Sequence, residues 1–450
     1  MNRLAIAAVL ALMVGAAPAS GQILGGARPS LPTLPSAPTG PSVRDLPGTD
    51  AVRSSELGQT LEATVTGARD LAEAREARLE SFVQANADIV ETDDRGWPVL
   101  RGEVTAVSPT PAALKAAEAA GFRIRARERL DELGLELVTL EVPTGMAGRR
   151  ALKRLRKLDP AGTYELNHLY EASGSAAPLP LLVGAGPAAA GAPGLRVGLI
   201  DTGVAQGHPA LAGSRIEQRG FAAGGVAPQP HGTATASLLV GRAGGFKGAA
   251  PGAKLYVADV YGPGRGGGAA TSVAKALAWM ARERVPVINV SLVGPDDLAL
   301  RAAVQAMVAR GHLVVAAVGN DGPAAPPLYP ASYAGAVAVT GVDARARVLP
   351  EAGRARVDFA APGADMAAAQ PAAGWAAVRG TSFAAPLVAG RLAQMLSAPD
   401  AAAAKRAVDA LSHEARDLGS RGRDKIYGWG LVGADLRTPP AALNLRTGRS

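Results

Sequence analysis

Arg196-Val197-Gly198-Leu199-Ile200-Asp201-Thr202-Gly203 is an apolar run that ends on a carboxylate and a glycine. It lacks polar alternation, so a strand built from it is covered on both faces. Four similar runs follow, over Leu255–Val260, Val285–Ser291, Leu313–Val318 and Ala336–Thr340. Helical stretches such as Thr271–Arg284 and Asp297–Arg310 lie between them. That order predicts an α/β fold, a parallel sheet covered by helices on both faces. In open parallel sheets functional groups gather beyond the carboxyl ends of the strands, which is where Asp201 falls. Alone, Asp-Thr-Gly equally suits an Asx turn leaving a strand. Its meaning depends on partners elsewhere in the chain.

A base is easy to choose, because only five histidines exist. His168, His312 and His413 read as structural, and His208 sits in a Gly-His-Pro turn. His231 opens His231-Gly232-Thr233-Ala234-Thr235-Ala236-Ser237, where the glycine permits close backbone approach and the segment through Leu239 can be helical. A nucleophile is offered by Gly380-Thr381-Ser382-Phe383-Ala384-Ala385-Pro386. Ser382 opens a helix, where its hydroxyl lies beside unpaired amides and the positive end of the helix dipole. Pro386 is tolerated near the first turn. Asp201, His231 and Ser382 thus supply the carboxylate, imidazole and hydroxyl that make serine a nucleophile, in one of the chain orders used for that purpose.

These three ordered motifs resemble those of the subtilisin-like (subtilase) serine peptidases, and the resemblance runs from about Gly194 to Ala434. It implies a subtilisin-like fold and a serine endopeptidase acting by acyl transfer on polypeptides. Val314 through Gly322 brings a buried run to Asn320, whose amide the resemblance places, with the Ser382 backbone N–H, in the oxyanion hole. Gly264, Arg265 and Gly266 resemble the edge that pairs with extended substrate. Ser291, Leu292, Val293 and Gly294 resemble the opposite wall of the cleft, with Val293 where glycine is usual. Ala316, Ala317, Val318 and Gly319 suggest an apolar pocket for the residue before the cut, while Asp321 at its rim leaves a basic residue there open. Ala234 stands where many subtilases carry a second histidine.

Composition bounds the alternatives. The 450 residues contain no cysteine, which excludes disulfides, zinc–thiolate sites, thiol nucleophiles and a lipobox anchor. A net charge of +8 raises the question of a polyanion, but the densest basic cluster, Arg149 to Lys157, interleaves with Leu152 and Leu155 as an amphipathic helix does. No aromatics alternate with those cations, so no nucleic-acid partner is expected. No run of clustered Asp and Glu has calcium-loop spacing, and neither cofactor nor metal is called for; isolated acids could still form a calcium site.

Met1-Asn2-Arg3, the apolar Leu4 to Gly15 and Ala17-Pro18-Ala19 read as a signal peptide over 1–19, giving an exported protein, periplasmic or extracellular, without a stable membrane anchor. Residues 20–53 form a Pro- and Gly-rich leader and 54–98 a helical segment, in one piece or as two helices broken at Gly58 or Gly67. Residues 99–170 follow a β-α-β-β-α-β order that suggests a small α+β ferredoxin-like domain, which in this family is commonly a propeptide. A linker at 171–194, a catalytic domain at 195–436 and a tail at 437–450 complete the chain. The expected protein is an autoprocessed zymogen and a monomer, with its own prodomain as partner. A peptide-binding pseudoenzyme, or a self-processed protein that stays blocked, remains open beside it.

Overall fold

The structure is a computed structural model that describes residues 56–172, 174–179, 194–353 and 356–443. The residues read as signal peptide and leader, most of those read as linker and the end of the expected tail lie outside them.

Seven parallel strands form the central sheet, in the order Phe359–Pro362, Val337–Val342, Leu313–Ala317, Val287–Val290, Arg196–Asp201, Lys254–Asp259 and Ile216–Gly220. The unbroken apolar runs have a direct cause. Leu199 packs into the layer containing Phe383 and Leu387, while its neighbour Ile200 packs into the layer containing Trp279 and Leu300. Successive side chains leave a strand on opposite faces, and here helices Pro230–Val240 and Thr381–Met395 cover one face while Ala270–Arg282 and Leu298–Ala309 cover the other. The two outermost strands carried no such signal. Ile216–Gly220 contains Glu217, Gln218 and Arg219, and Phe359–Pro362 is four residues long. Ile216–Gly220 is only partly buried, which tolerates its polar residues, whereas Phe359–Pro362 is apolar and buried and escapes a sequence reading by its shortness.

Before this sheet stands a small antiparallel one, with Thr163–His168, Pro98–Val107, Leu135–Glu141 and Arg123–Leu130 side by side and Val90–Thr92 added at one end of Pro98–Val107. Helices Pro111–Ala119 and Gly148–Leu158 pack on it through Leu114, Ala117, Leu152 and Leu155. This is the ferredoxin-like α+β order. Ahead of it, Glu56–Ala85 is one continuous helix of 30 residues. At Gly67 a side chain would meet open space; a single glycine costs about 1 kcal/mol in a helix, too little to break this one. No helix among the described residues is long and apolar enough to cross a membrane.

A buried charge cluster joins the small sheet to the large one. His168 ends the last strand of the small sheet, and its Nδ1 lies 2.9 Å from Asp297 Oδ2. Asp297 in turn accepts the Ala299 and Leu300 amides and caps helix Leu298–Ala309. On its other side His168 Nε2 is 3.5 Å from Asp93 Oδ2, a charge contact too long for a good hydrogen bond. Burial opposes the imidazolium, but the Asp297 hydrogen bond and the Asp93 and Glu165 carboxylates outweigh it and raise the pKa to about 9. A pKa raised by folding stabilises fully below the unfolded value of about 6.5 and is lost as pH rises through the folded value. The uncut chain should therefore lose about 3 kcal/mol of stability between pH 6.5 and 9 from this group. Thermal unfolding of an uncut, inactive variant against pH checks it: Tm should fall across that window, and His168→Gln should remove most of the slope. An unchanged slope in that variant refutes the assignment.

Candidate active site

Asp201 ends its strand fully buried, and its Oδ1 accepts the Thr202 amide at 2.6 Å. His231 follows Pro230 in the first turn of helix Pro230–Val240, whose N-terminal proline needs no amide partner. Gly232 behind it lies so close to the Thr202 carbonyl oxygen that any Cβ there would collide with it. The chains therefore approach closely enough for His231 Nδ1 to sit 2.8 and 2.9 Å from the two Asp201 oxygens. His231 Nε2 is 3.0 Å from Ser382 Oγ. Ser382 is the second residue of helix Thr381–Met395, preceded by Gly380 at φ 142°. Phe383 packs its ring 5.1 Å from the imidazole. A hydroxyl, an imidazole and a buried carboxylate stand in one hydrogen-bonded line. Such a line can move a proton off the hydroxyl as it attacks a carbonyl.

The remaining polar groups are held from behind. Asn320 Oδ1 accepts the Thr381 amide at 2.9 Å, which anchors the side chain beside the start of the helix that carries Ser382. Thr381 Oγ1 in turn accepts the Gly319 amide. Ser291 Oγ donates to the Ser382 carbonyl at 2.9 Å and accepts from Asn289 Nδ2 at 2.7 Å.

The cleft is filled by the chain itself. Glu171 and Ala172 pair antiparallel with Val293 and Leu292. Just before them the Tyr170 amide donates to the Gly268 carbonyl at 2.8 Å, and Leu169 bridges to Ala269. Tyr170 is buried against Gly294, with its hydroxyl donating to the Pro295 carbonyl. On the far side of Ser382, Ser175–Leu179 adds an antiparallel strand to Gly374–Arg379. Gly174 lies between the two pairings at φ +140°, where a Cβ would come within 2.7 Å of Ser382 Oγ. Only glycine suits that backbone and that clearance. Covered in this way, Ser382 has no exposed surface.

The residues expected along the walls divide into two groups. Leu292, Val293 and Gly294 face the bound segment. The other edge pairs through Gly268 and Ala269, whereas Gly266 approaches Leu100 and Ile89, and Arg265 pairs with Asp88 at 2.6 Å. Gly264 has open space beside its Cα. Three consecutive glycines, Gly266 to Gly268, offer no side-chain pattern from which that register could be read. Val318 lies in the layer on the cleft's side with Ala316, while Ala317 packs into the opposite core. A side chain on Gly319 would strike Leu328 and approach Val293, so glycine is what lets these two pack there. Thr235, which the sequence did not single out, lies 3.1 Å from Asp201 Oδ2; it is one helical turn beyond His231, and helix periodicity alone points to it. His208 and His312 are buried against the Gly374 and Val285 carbonyls, and His413 is on an exposed helix face. Among the described residues no cluster of three or more His, Cys, Asp or Glu could hold a metal ion.

The subtilase family model matches residues 192–430, which contain the whole hydrogen-bonded line. This chain belongs to the subtilase family. Subtilisin BL of Lederbergia lenta is 36% identical over 255 residues, 54% of this subtilase and 91% of that protein. Thermitase of Thermoactinomyces vulgaris is 35% identical over 205 residues, 44% of this chain and 73% of that one. Among solved structures, fervidolysin of Fervidobacterium pennivorans, described as a keratinolytic enzyme related to subtilisin, superposes with a TM-score of 0.64 at 21% identity. That likeness covers 79% of this subtilase and 62% of fervidolysin, and it shows the fold. The protein is a subtilisin-like serine endopeptidase, and its substrates are polypeptides.

Proposed function

We propose that this subtilase is exported as a zymogen and cuts its own chain between Ser173 and Gly174. One observation carries the reading. The segment on either side of Ser382 is paired to both walls of the cleft as an extended substrate, with Glu171 opposite Val293, Ala172 opposite Leu292 and Ser175 opposite Arg379. Between those pairings Gly174 lies against the Ser382 hydroxyl. The residue before it in sequence is a serine, small and uncharged. The mature enzyme accordingly prefers small apolar or neutral residues there over acidic ones.

In this mechanism Ser382 Oγ attacks the Ser173 carbonyl carbon while His231 Nε2 takes the hydroxyl proton. Asp201 holds the imidazole in the tautomer that leaves Nε2 ready and stabilises the imidazolium. Negative charge developing on the Ser173 oxygen is met by the Asn320 amide and the Ser382 backbone N–H. His231 then returns its proton to the Gly174 nitrogen, which leaves as a new amino terminus. Water, deprotonated by the same imidazole, releases the Ser173 carboxylate and regenerates Ser382. Residues 99–170 act as the prodomain, and the helix over 56–85 extends it. Tethering raises the local concentration of the segment to roughly millimolar, so the cut is intramolecular. The freed fragment stays in the cleft as a product-like inhibitor until it dissociates.

Amino-terminal sequencing of the processed protein tests this directly. The expected new terminus is Gly174, produced at a rate independent of protein concentration. A terminus elsewhere rejects the register, and a rate that scales with concentration rejects the intramolecular route. Labelling by an organophosphorus fluoride should appear only after the fragment is removed; labelling of the intact precursor contradicts the blocked state. Recovery of the precursor's amino terminus from the exported fraction, beginning near Ser20, tests export.

A further inference from the structure

Asp321, immediately after Asn320, is only 7% exposed and carries two arginines of the Glu56–Ala85 helix. Arg75 Nε reaches Asp321 Oδ2 at 3.1 Å, and Arg78 Nη2 reaches Oδ1 at 2.8 Å. Arg75 also stacks over Trp97 at 4.0 Å, beside Leu79, Val293 and Leu328. The same Arg78 nitrogen contacts Glu171 Oε2 at 3.2 Å. One guanidinium therefore bridges a carboxylate of the cleft wall and a carboxylate of the segment lying in the cleft. Neither arginine belongs to the enzyme that remains after the chain is cut at Gly174.

A buried carboxylate without a cation pays its desolvation without return. Once the helix leaves, Asp321 is such a group, open to whatever occupies the neighbouring subsite. Glu171 marks that subsite. Its side chain already ends one guanidinium nitrogen short of Asp321, and an arginine in its place is longer and ends in the missing fork. An acid there would face Asp321 with no Arg78 between them.

Building on the proposed cut at Ser173–Gly174, we propose that Asp321 is a guanidinium-binding subsite of the mature enzyme, selecting arginine in substrates at the position Glu171 holds, two residues before the residue that donates the scissile carbonyl. The prodomain helix occupies the subsite in advance with Arg75 and Arg78. Glu171 is matched to that arrangement alone, so the prodomain's own sequence becomes a poor substrate once its helix has gone.

The test uses the full chain after it has processed itself, with the octapeptides Leu-Tyr-Xaa-Ala-Ser-Gly-Ser-Ala carrying Arg, Gln or Glu at Xaa. Any residual prodomain fragment competes equally with each peptide and leaves their ratios unchanged. Wild type should cleave the Arg peptide with a kcat/KM about tenfold above that of the Glu peptide, the size expected for one charge-assisted pair gained. In Asp321→Asn the ratio should fall to about one, and in Asp321→Glu it should persist. Equal rates for the Arg and Glu peptides in wild type overturn the assignment whether or not the Asn variant folds. So does a preference that survives Asp321→Asn. A wild-type terminus other than Gly174 overturns the register and this subsite together, whereas a Gly174 terminus with equal rates overturns the subsite alone.

Discussion

Replacing Ser382 by Ala should leave the chain whole and inactive. The serine hydroxyl lies 3.0 Å from His231 Nε2 and against Gly174, so its removal leaves the aligned imidazole without the proposed nucleophile. We expect the loss of kcat to approach the factor of about 10^6 known for the equivalent change in subtilisin, a member of the same family. His231→Ala should lose nearly as much, because the groups act as one unit. Packing should be little disturbed by the serine change, since the hydroxyl is exchanged for a hydrogen beside glycine. The measurement pairs casein hydrolysis with gel analysis of the precursor, with processing supplied in trans for the activity assay. Retention of more than a few per cent activity in a pure variant, or a precursor that still splits without other proteases, would defeat the assignment.

The second large effect is expected at Asn320. Asn320→Ala removes the amide proposed to meet the developing oxyanion and leaves the Thr381 amide without its 2.9 Å acceptor. In subtilisin, again a member of the same family, loss of this kind of donor lowers kcat by about 10²–10³, and we expect a similar loss in this subtilase. Because the oxygen is uncharged in bound substrate, KM should change little. Steady-state kinetics on a neutral peptide separate the two quantities. A variant whose loss falls mainly on KM, with kcat preserved, would show that Asn320 binds ground-state substrate instead. Asn320→Asp, nearly isosteric but anionic, should be at least as damaging, since it sets like charge against the oxyanion.

The parts of the molecule behind these expectations differed in how far the sequence disclosed them. The five inner strands were legible because burial on two faces demands unbroken apolar runs, and Leu199 and Ile200 meet that demand in opposite layers. The small sheet was legible because each of its helices and strands is short and closed by its own turn. Asp201, His231 and Ser382 could be selected as a set because local chemistry brackets each one: a strand end, a helix start after proline and a helix start after glycine. Their 2.8–3.0 Å line depends on three distant segments meeting, and the sheet's parallel order is what brings them together.

The segment from Glu171 to Leu179 read as a linker, since Ala, Ser, Gly and Pro carry no periodicity of their own. Its structure comes entirely from its partners. Main-chain hydrogen bonds to Leu292–Val293 and to Gly374–Arg379 make it two strands, and backbone pairing leaves almost no mark on side-chain pattern. Backbone pairing also explains Gly268, which takes the place expected of Gly264 to Gly266, while Asp321 meets two arginines from more than 240 residues away. What this sequence determined by itself was the fold class, the three side chains that meet in one hydrogen-bonded line and the family they resemble, because each rests on local burial and local turn chemistry. Which segment fills the cleft, where it crosses Ser382 and which cations hold Asp321 were decided only by tertiary structure, because those contacts join groups that no short-range pattern connects.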